Sequence, residues 1–482
     1  MILQTSDILK VILTTIIMLV VGIIVFFVLI VFIGLMLLSP SDVQNIEEIG
    51  ASVTVDSYGN VYVTGESSGT VDFDPGPREY SHQSDTWGSP FLSKFDSSGN
   101  FQWVKIWNGE GKLYGGIADK SQIIISGSSY GTVDLDPGPE VDEHIGYGEF
   151  LSRFDANGDR IWAKTWDGGS IGNIAVDTNG GIYTYGDFHA GLNESLDLDP
   201  GPGVVEINEP TAYVTKFDSQ GEFIWAKTLG WMEGDDIAVD SSGDIYLTGI
   251  FDGTKDFDPG PGVVEHTGYY SAFLCKLDLE GNFSWVRTFE RTGRDAAILT
   301  TIDPNSNILV HSAYPLLSNS ELKENIFLKK FDLDGNLLWE CDWHESDNIT
   351  CRGIDSDDYG NIYITGYFTG KADFDPGPGK DERITGDKDV YLSKIDPSGN
   401  FKWAKILGGP GSDVGIGICF DSGGFVYVTG NFCDRVDFDP SPGEDWHTST
   451  GYNDIFLSKF DLDGNLIWAR TWGGENPSAA VD

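Results

Sequence analysis

The chain has 482 residues, with 75 acidic side chains against 30 basic ones and a formal net charge of −45. That balance excludes a nucleic-acid partner, which needs a basic face, and leaves cations, basic partners or solubility as its uses. Aromatics at 13% and 61 glycines suit an all-β chain with many tight turns.

Residues 1–10 contain one lysine, Lys10, and then Val11 to Leu38 carries no charge, with only Thr14 and Thr15 polar. At about 1.5 Å per residue a helix over this run exceeds the ~30 Å hydrocarbon core, so a transmembrane helix across 11–38 is predicted, with the lipid bilayer as its partner. A cleaved signal peptide would have a shorter apolar region and an A-x-A-like site, and only SPSD follows Leu38. Lys10 precedes the run, whereas Asp42, Glu47 and Glu48 follow it and the next cation is Arg78. This asymmetry predicts a single-pass protein of the cell membrane with a cytoplasmic N-terminus and an extracytoplasmic remainder. Residues 39–48 read as a short polar tether.

From residue 49 the chain repeats itself. An apolar run, a D-x-x-G turn and a β-rich run open each unit, as in ASVTVDSYGNVYVTG (Ala51–Gly65) and DIAVDSSGDIYLTG (Asp236–Gly249). Asp caps such a turn and Gly supplies its positive φ. A connection of about 25 residues leads to a second pair of strands around another D-x-x-G turn, as in FLSKFDSSGNFQWVK (Phe91–Lys105). Seven copies of this second pair carry Trp103, Trp162, Trp225, Trp285, Trp339, Trp403 and Trp468. Four short antiparallel strands, A to D, cannot bury both faces alone, so the units must stack. The expected fold is all-β, a seven-bladed β-propeller of four-stranded antiparallel blades over residues 49–482. The repeated Trp reads as packing between blades.

These stretches, together with VDFDPGP (Val71–Pro77), resemble the seven-bladed β-propeller (SBBP) repeat proteins over about residues 49–474. The resemblance implies the fold and an extracytoplasmic setting, and it supplies no catalytic residue. The fifth blade departs from it, reading AYPLLSNSELKENIF (Ala313–Phe327) without DPGP. Residues 478–482 are in phase with an eighth strand A, which would either close the ring or begin further repeats.

Both D-x-x-G turns belong on one face of the ring, and the B–C and D–A loops share the other, the candidate functional face. Its signature is an aspartate pair: Asp72 with Asp74, Asp134 with Asp136, Asp197 with Asp199, Asp256 with Asp258, Asp373 with Asp375, and Asp437 with Asp439. In DPGP the Pro and Gly are expected at the centre of a type II turn. The pairs read either as turn caps or as calcium ligands, since Ca²⁺ takes clustered carboxylate and carbonyl oxygens. Trp107, Trp166, Trp231, Trp343 and Trp472 open the D–A loops; they read either as inter-blade wedges or as platforms for a sugar ligand. His82, His144, His266 and His447 recur at one register and read as structural. GESSG (Gly65–Gly69) and GSSYG (Gly127–Gly131) lack the strand-to-helix turn of a nucleophile elbow. Cys341 and Cys351 lie near enough in sequence for a disulfide, although five cysteines cannot all pair, and free thiols are the expectation. The chain thus reads as a binding or adhesion scaffold for a surface glycan or protein, calcium-dependent if the pairs hold metal. The alternative is a surface glycan hydrolase or lyase that uses loop-face carboxylates as acid and base.

Overall fold

The computed structural model describes residues 49–84, 88–107, 110–119, 122–138, 141–188, 195–289, 298–312, 326–343 and 348–474. The predicted transmembrane helix over 11–38, the tether, the in-phase stretch 478–482 and most of the aberrant fifth connection lie outside these residues. Among the described residues no helix is long and apolar enough to cross a membrane.

The described residues form seven four-stranded antiparallel sheets, spanning 49–106, 110–167, 170–228, 233–289, 298–343, 349–407 and 414–472. In the first, strand A (Ile49–Val55) pairs with B (Val61–Ser67), B with C (Ser89–Phe95) and C with D (Phe101–Ile106). The same A–D letters serve the other six. Alternation explains the double burial: Val61 and Val63 of strand B face one neighbouring blade, while Tyr62 faces the other. Strands B and C are therefore buried on both faces, and only the outer strand D meets solvent along one side. Both families of D-x-x-G turn form as expected. Asp56 Oδ1 accepts the N–H groups of Tyr58 and Asn60 at 2.9 Å each, and Gly59 takes φ 80°.

The innermost strands A pack side by side in sequence order around the axis, and strand A of blade 1 packs on strand A of blade 7. The ring is closed. One contact set recurs at every seam. A strand C cation, from Lys94 to Lys459, donates to a carbonyl in the C–D turn of the next blade, as with Lys94 to Ala156 at 2.8 Å. Beside it the repeated Trp lies flat on the glycine of that turn. A Cβ on Gly335 would stand 3.0 Å from the Trp285 ring, and one on Gly399 3.0 Å from Trp339. The last seam uses the same parts, since Lys459 reaches Ser97 and Arg470 reaches Ser98 and Gly99 at 3.1–3.3 Å. Inter-blade packing, the role expected of the repeated Trp, is what the geometry gives.

Candidate binding face

Among the described residues six blades raise a two-stranded ribbon from the B–C connection. In blade 1 it pairs Thr70–Asp72 with Ser81–Gln83, and in blade 4 it is the outward extension of Ile245–Asp256 and Glu265–Leu277. The D-φ-D triplet builds it, φ being apolar. The central residue (Phe73, Leu135, Leu198, Phe257, Phe374 or Phe438) is fully buried in the blade beneath. The flanking aspartates stay on the opposite, outer side.

The aspartates cap the ribbon, and the two members of each pair do so differently. The first member ties the two arms together. Asp72 Oδ1 accepts N–H groups from Asp74 at 3.2 Å and from Tyr80 at 2.8 Å. Asp134, Asp197, Asp256, Asp373 and Asp437 do the same in their blades. The second member closes the tip, as Asp74 Oδ1 does by accepting the N–H of Gly76 at 2.8 Å. Asp136 accepts that of Gly138 at 2.8 Å, Asp199 that of Gly201 at 2.8 Å, and Asp258 that of Gly260 at 2.7 Å. Asp375 accepts that of Gly377 at 2.8 Å, and Asp439 that of Ser441 at 2.9 Å.

The expected type II turn is not formed, because Gly76 and its counterparts do not adopt positive φ. A close approach calls for glycine two residues later instead, where a Cβ on Gly203, Gly262, Gly379 or Gly443 would fall 2.0–2.2 Å from Oδ2 of the second aspartate of its pair. Ser441 can replace the glycine in blade 7 because no left-handed backbone is required there. Among the described residues no group of three or more His, Cys, Asp or Glu side chains could hold a metal ion, and Asp74, Asp136, Asp199, Asp258, Asp375 and Asp439 cap the ribbon tips. Of the two roles read for them, turn capping is the one with visible bonds. A cation at a pair would take most of its ligands from carbonyls or water.

Of the five loop aromatics, Trp107, Trp166, Trp343 and Trp472 are buried between blades. Trp166 and Trp343 donate their indole N–H to Leu198 and Phe374 carbonyls, at 3.2 and 3.3 Å, under the next blade's ribbon. Their ring faces are not offered to a ligand. Trp231 differs, being 50% exposed, because Leu229 takes the wedge position in its blade. The ammonium of Lys255 sits 5.1 Å from the Trp231 ring centroid. The ribbons of blades 2, 3 and 4 each present a valine at the same tip register: Val141, Val204 and Val263, all more than two-thirds exposed. Tyr269 of blade 4 is exposed as well. The sequence reading missed these valines, although their position seven residues after the first Asp of each pair was there to be seen.

The histidines are strand residues. His144, His266 and His447 lie with Nδ1 2.8–3.3 Å from the hydroxyls of Thr165, Thr288 and Thr471. All five cysteines are free. Carboxyls buried in the seams and the channel wall hold their protons firmly, Asp235 among them. Burial pushes Glu149 up to about 8, and Asp236 and Asp355 up to about 7. The axial channel encloses about 270 Å³, with Asn173, Asp236, Thr300 and Arg352 among its polar lining.

Residues 48–71 and 402–431 match the β-propeller repeat family (SBBP), and the fold is a seven-bladed propeller. An uncharacterised WD repeat-containing protein of Acanthamoeba polyphaga mimivirus is 23% identical over 350 residues, 58% of this chain and 25% of that protein. The match thus spans a quarter of that relative's length. Among solved structures, the Dos1 propeller is 11% identical over 90% of this chain and 94% of its own, at TM-score 0.38. A Synechocystis apocarotenoid oxygenase mutant is 11% identical over 90% and 93%, at 0.41. A Xanthomonas campestris gluconolactonase is 13% identical over 59% and 78%, at 0.30.

Proposed function

We propose that this propeller of SBBP-type repeats is a membrane-anchored, extracytoplasmic binding scaffold whose ligand, a surface glycan or protein, is engaged on the ribbon face. The observation that carries the reading is the arc of exposed apolar tips over blades 2–4: Val141, Val204, Trp231, Val263 and Tyr269. Large exposed apolar groups that recur at one register on neighbouring ribbons offer an interaction surface. The ribbon aspartates make this face acidic, so a ligand with an apolar or sugar face and basic or hydroxyl edges is complementary. The uncharged run over 11–38 supports the anchor, and Lys10 before it supports an extracytoplasmic propeller.

Cells expressing the full chain test this. Glycan-coated and protein-coated surfaces should retain them, and V141D/V204D/V263D should reduce retention at least tenfold with unchanged surface display. Retention unaffected by the triple variant would remove the ribbon tips from the function. External protease should cut the displayed chain on intact cells; complete protection would reverse the orientation.

A further inference from the structure

We propose that Asp389 and Asp413 form a divalent-cation site in the seam between blades 6 and 7, separate from the ribbon pairs. Asp413 directly precedes strand A of blade 7 (Val414–Phe420). By register with the neighbouring strand B, the same position is Met232 in blade 4 and Ile349 in blade 6, each buried and apolar. Asp413 is just as buried, at 0% exposure. Its own N–H donates to Lys388 O at 2.7 Å, and its Oδ1 accepts Cys433 N–H at 3.0 Å. Gly409 N–H also donates to this carboxylate. Its Oδ2, enclosed by protein, has no hydrogen-bond partner among the described residues.

Asp389 opens strand C of blade 6 (Asp389–Ile395), where blades 1, 3 and 4 have Ser89, Thr211 and Ser271. The Thr385 hydroxyl bonds to it, yet its Oδ1 is likewise enclosed without a partner. A Cβ on Gly408 would stand 2.3 Å from its Cγ, so the carboxyl lies on the glycine loop that runs on to Asp413. Asp387 adds a third negative charge that bears on both. Among the described residues no lysine or arginine pairs with either carboxyl, and the ammonium of Lys388 rests over the Tyr367 ring, 4.8 Å from its centroid.

Two enclosed carboxylates with vacant oxygens and no counter-cation are a costly arrangement, relieved only by a proton or by a metal ion. Burial accordingly pushes Asp389 up to about 6, helped by the Asp387 charge, and Asp413 up to about 7, helped by the Asp389 and Asp387 charges. A hard ion such as Ca²⁺ takes both vacant oxygens directly and completes its shell with water.

Full-length protein in detergent, titrated with CaCl₂ against NaCl of equal ionic strength, decides the matter. Ca²⁺ should raise the melting temperature of the parent chain above the NaCl control. Asp389→Asn and Asp413→Asn should each weaken Ca²⁺ binding at least tenfold by calorimetry. Asp413→Ile, which installs the residue blade 6 carries at that register, keeps a packed seam and should abolish the same binding event. Asp258→Asn, in a ribbon, should leave it intact. Equal Ca²⁺ gains in the parent chain and in Asp413→Ile, or no gain over NaCl in the parent, would overturn the site and leave a shared proton in the seam.

Discussion

At the residue scale the ring rests on a tryptophan lying on a glycine. Gly335 has φ +74° and would bring a Cβ to 3.0 Å from the Trp285 ring, so Gly335→Ala combines a left-handed penalty with a clash. It should cost about 1–2 kcal/mol, and Trp285→Ala about 2–4 kcal/mol through lost packing, both read from urea midpoints. Midpoints unchanged by either variant would contradict the seam packing. Titration works at this scale too. The folded-state pKa values of Glu149, Asp236 and Asp355 are raised, so between about pH 4 and 8 the folded chain holds more protons than the unfolded one. Their protonation stabilises the fold as pH falls through that window. His311, lowered to about 4 by burial, opposes them below pH 6.5. Asp96 and Asp278, lowered against burial by turn hydrogen bonds, and Asp396, lowered against burial first by the Lys402 ammonium and then by turn hydrogen bonds, lose their contribution as pH falls below the usual carboxylate range. In EDTA, the melting temperature should therefore rise from pH 8 towards pH 5 and fall again towards pH 2; a rise up to pH 8 would refute these assignments. The turn aspartates and glycines were legible in the sequence because each acts within four residues. The residue each Trp covers was not, since it lies in the next blade.

At the element scale the ribbon is the unit to test. Asp256 Oδ1 ties Asp258 and Val264 N–H groups at 3.1 and 2.8 Å, so Asp256→Ala should fray that ribbon locally. Hydrogen exchange in residues 254–267 should quicken by about fivefold, for roughly 1 kcal/mol lost, while the other blades stay protected. If ribbon pairs held calcium, Asp256→Asn with Asp258→Asn would also lose stabilisation by millimolar Ca²⁺ over matched NaCl. Turn capping predicts that this gain persists. The sequence announced the ribbons through DPGP, but the turn chemistry was misread, because Pro-Gly suggested a type II turn where the glycine two residues on serves the approach of a carboxylate. Register also misled at Trp231. It aligns by residue type with the buried wedges, yet Leu229 stands two residues earlier in the wedge position and leaves Trp231 half exposed. Asp413 carried a readable signal, an acid where blades 4 and 6 have Met232 and Ile349, but only once the register was fixed.

At the scale of the whole molecule, the period of the repeat gave the blade count directly, while closure depended on contacts between residues more than 360 apart, such as Lys459 to Ser97. The blade 1 ribbon also joins the end of blade 7, where Asp72 N–H meets Gly473 O at 3.3 Å in an antiparallel bridge. Bridged Cα atoms lie within the span of a disulfide. The ring and its ribbon face stand or fall together, because every ribbon is seated on the blade before it. The most direct measurement is therefore oxidation of the double variant Asp72→Cys with Gly473→Cys. A seven-bladed closed ring predicts an intramolecular disulfide joining residues 72 and 473, found by peptide mass mapping, with full-length mobility that shifts on reduction. Peptides in which these two cysteines remain unpaired under conditions that oxidise accessible thiols would mean that blades 1 and 7 are not neighbours.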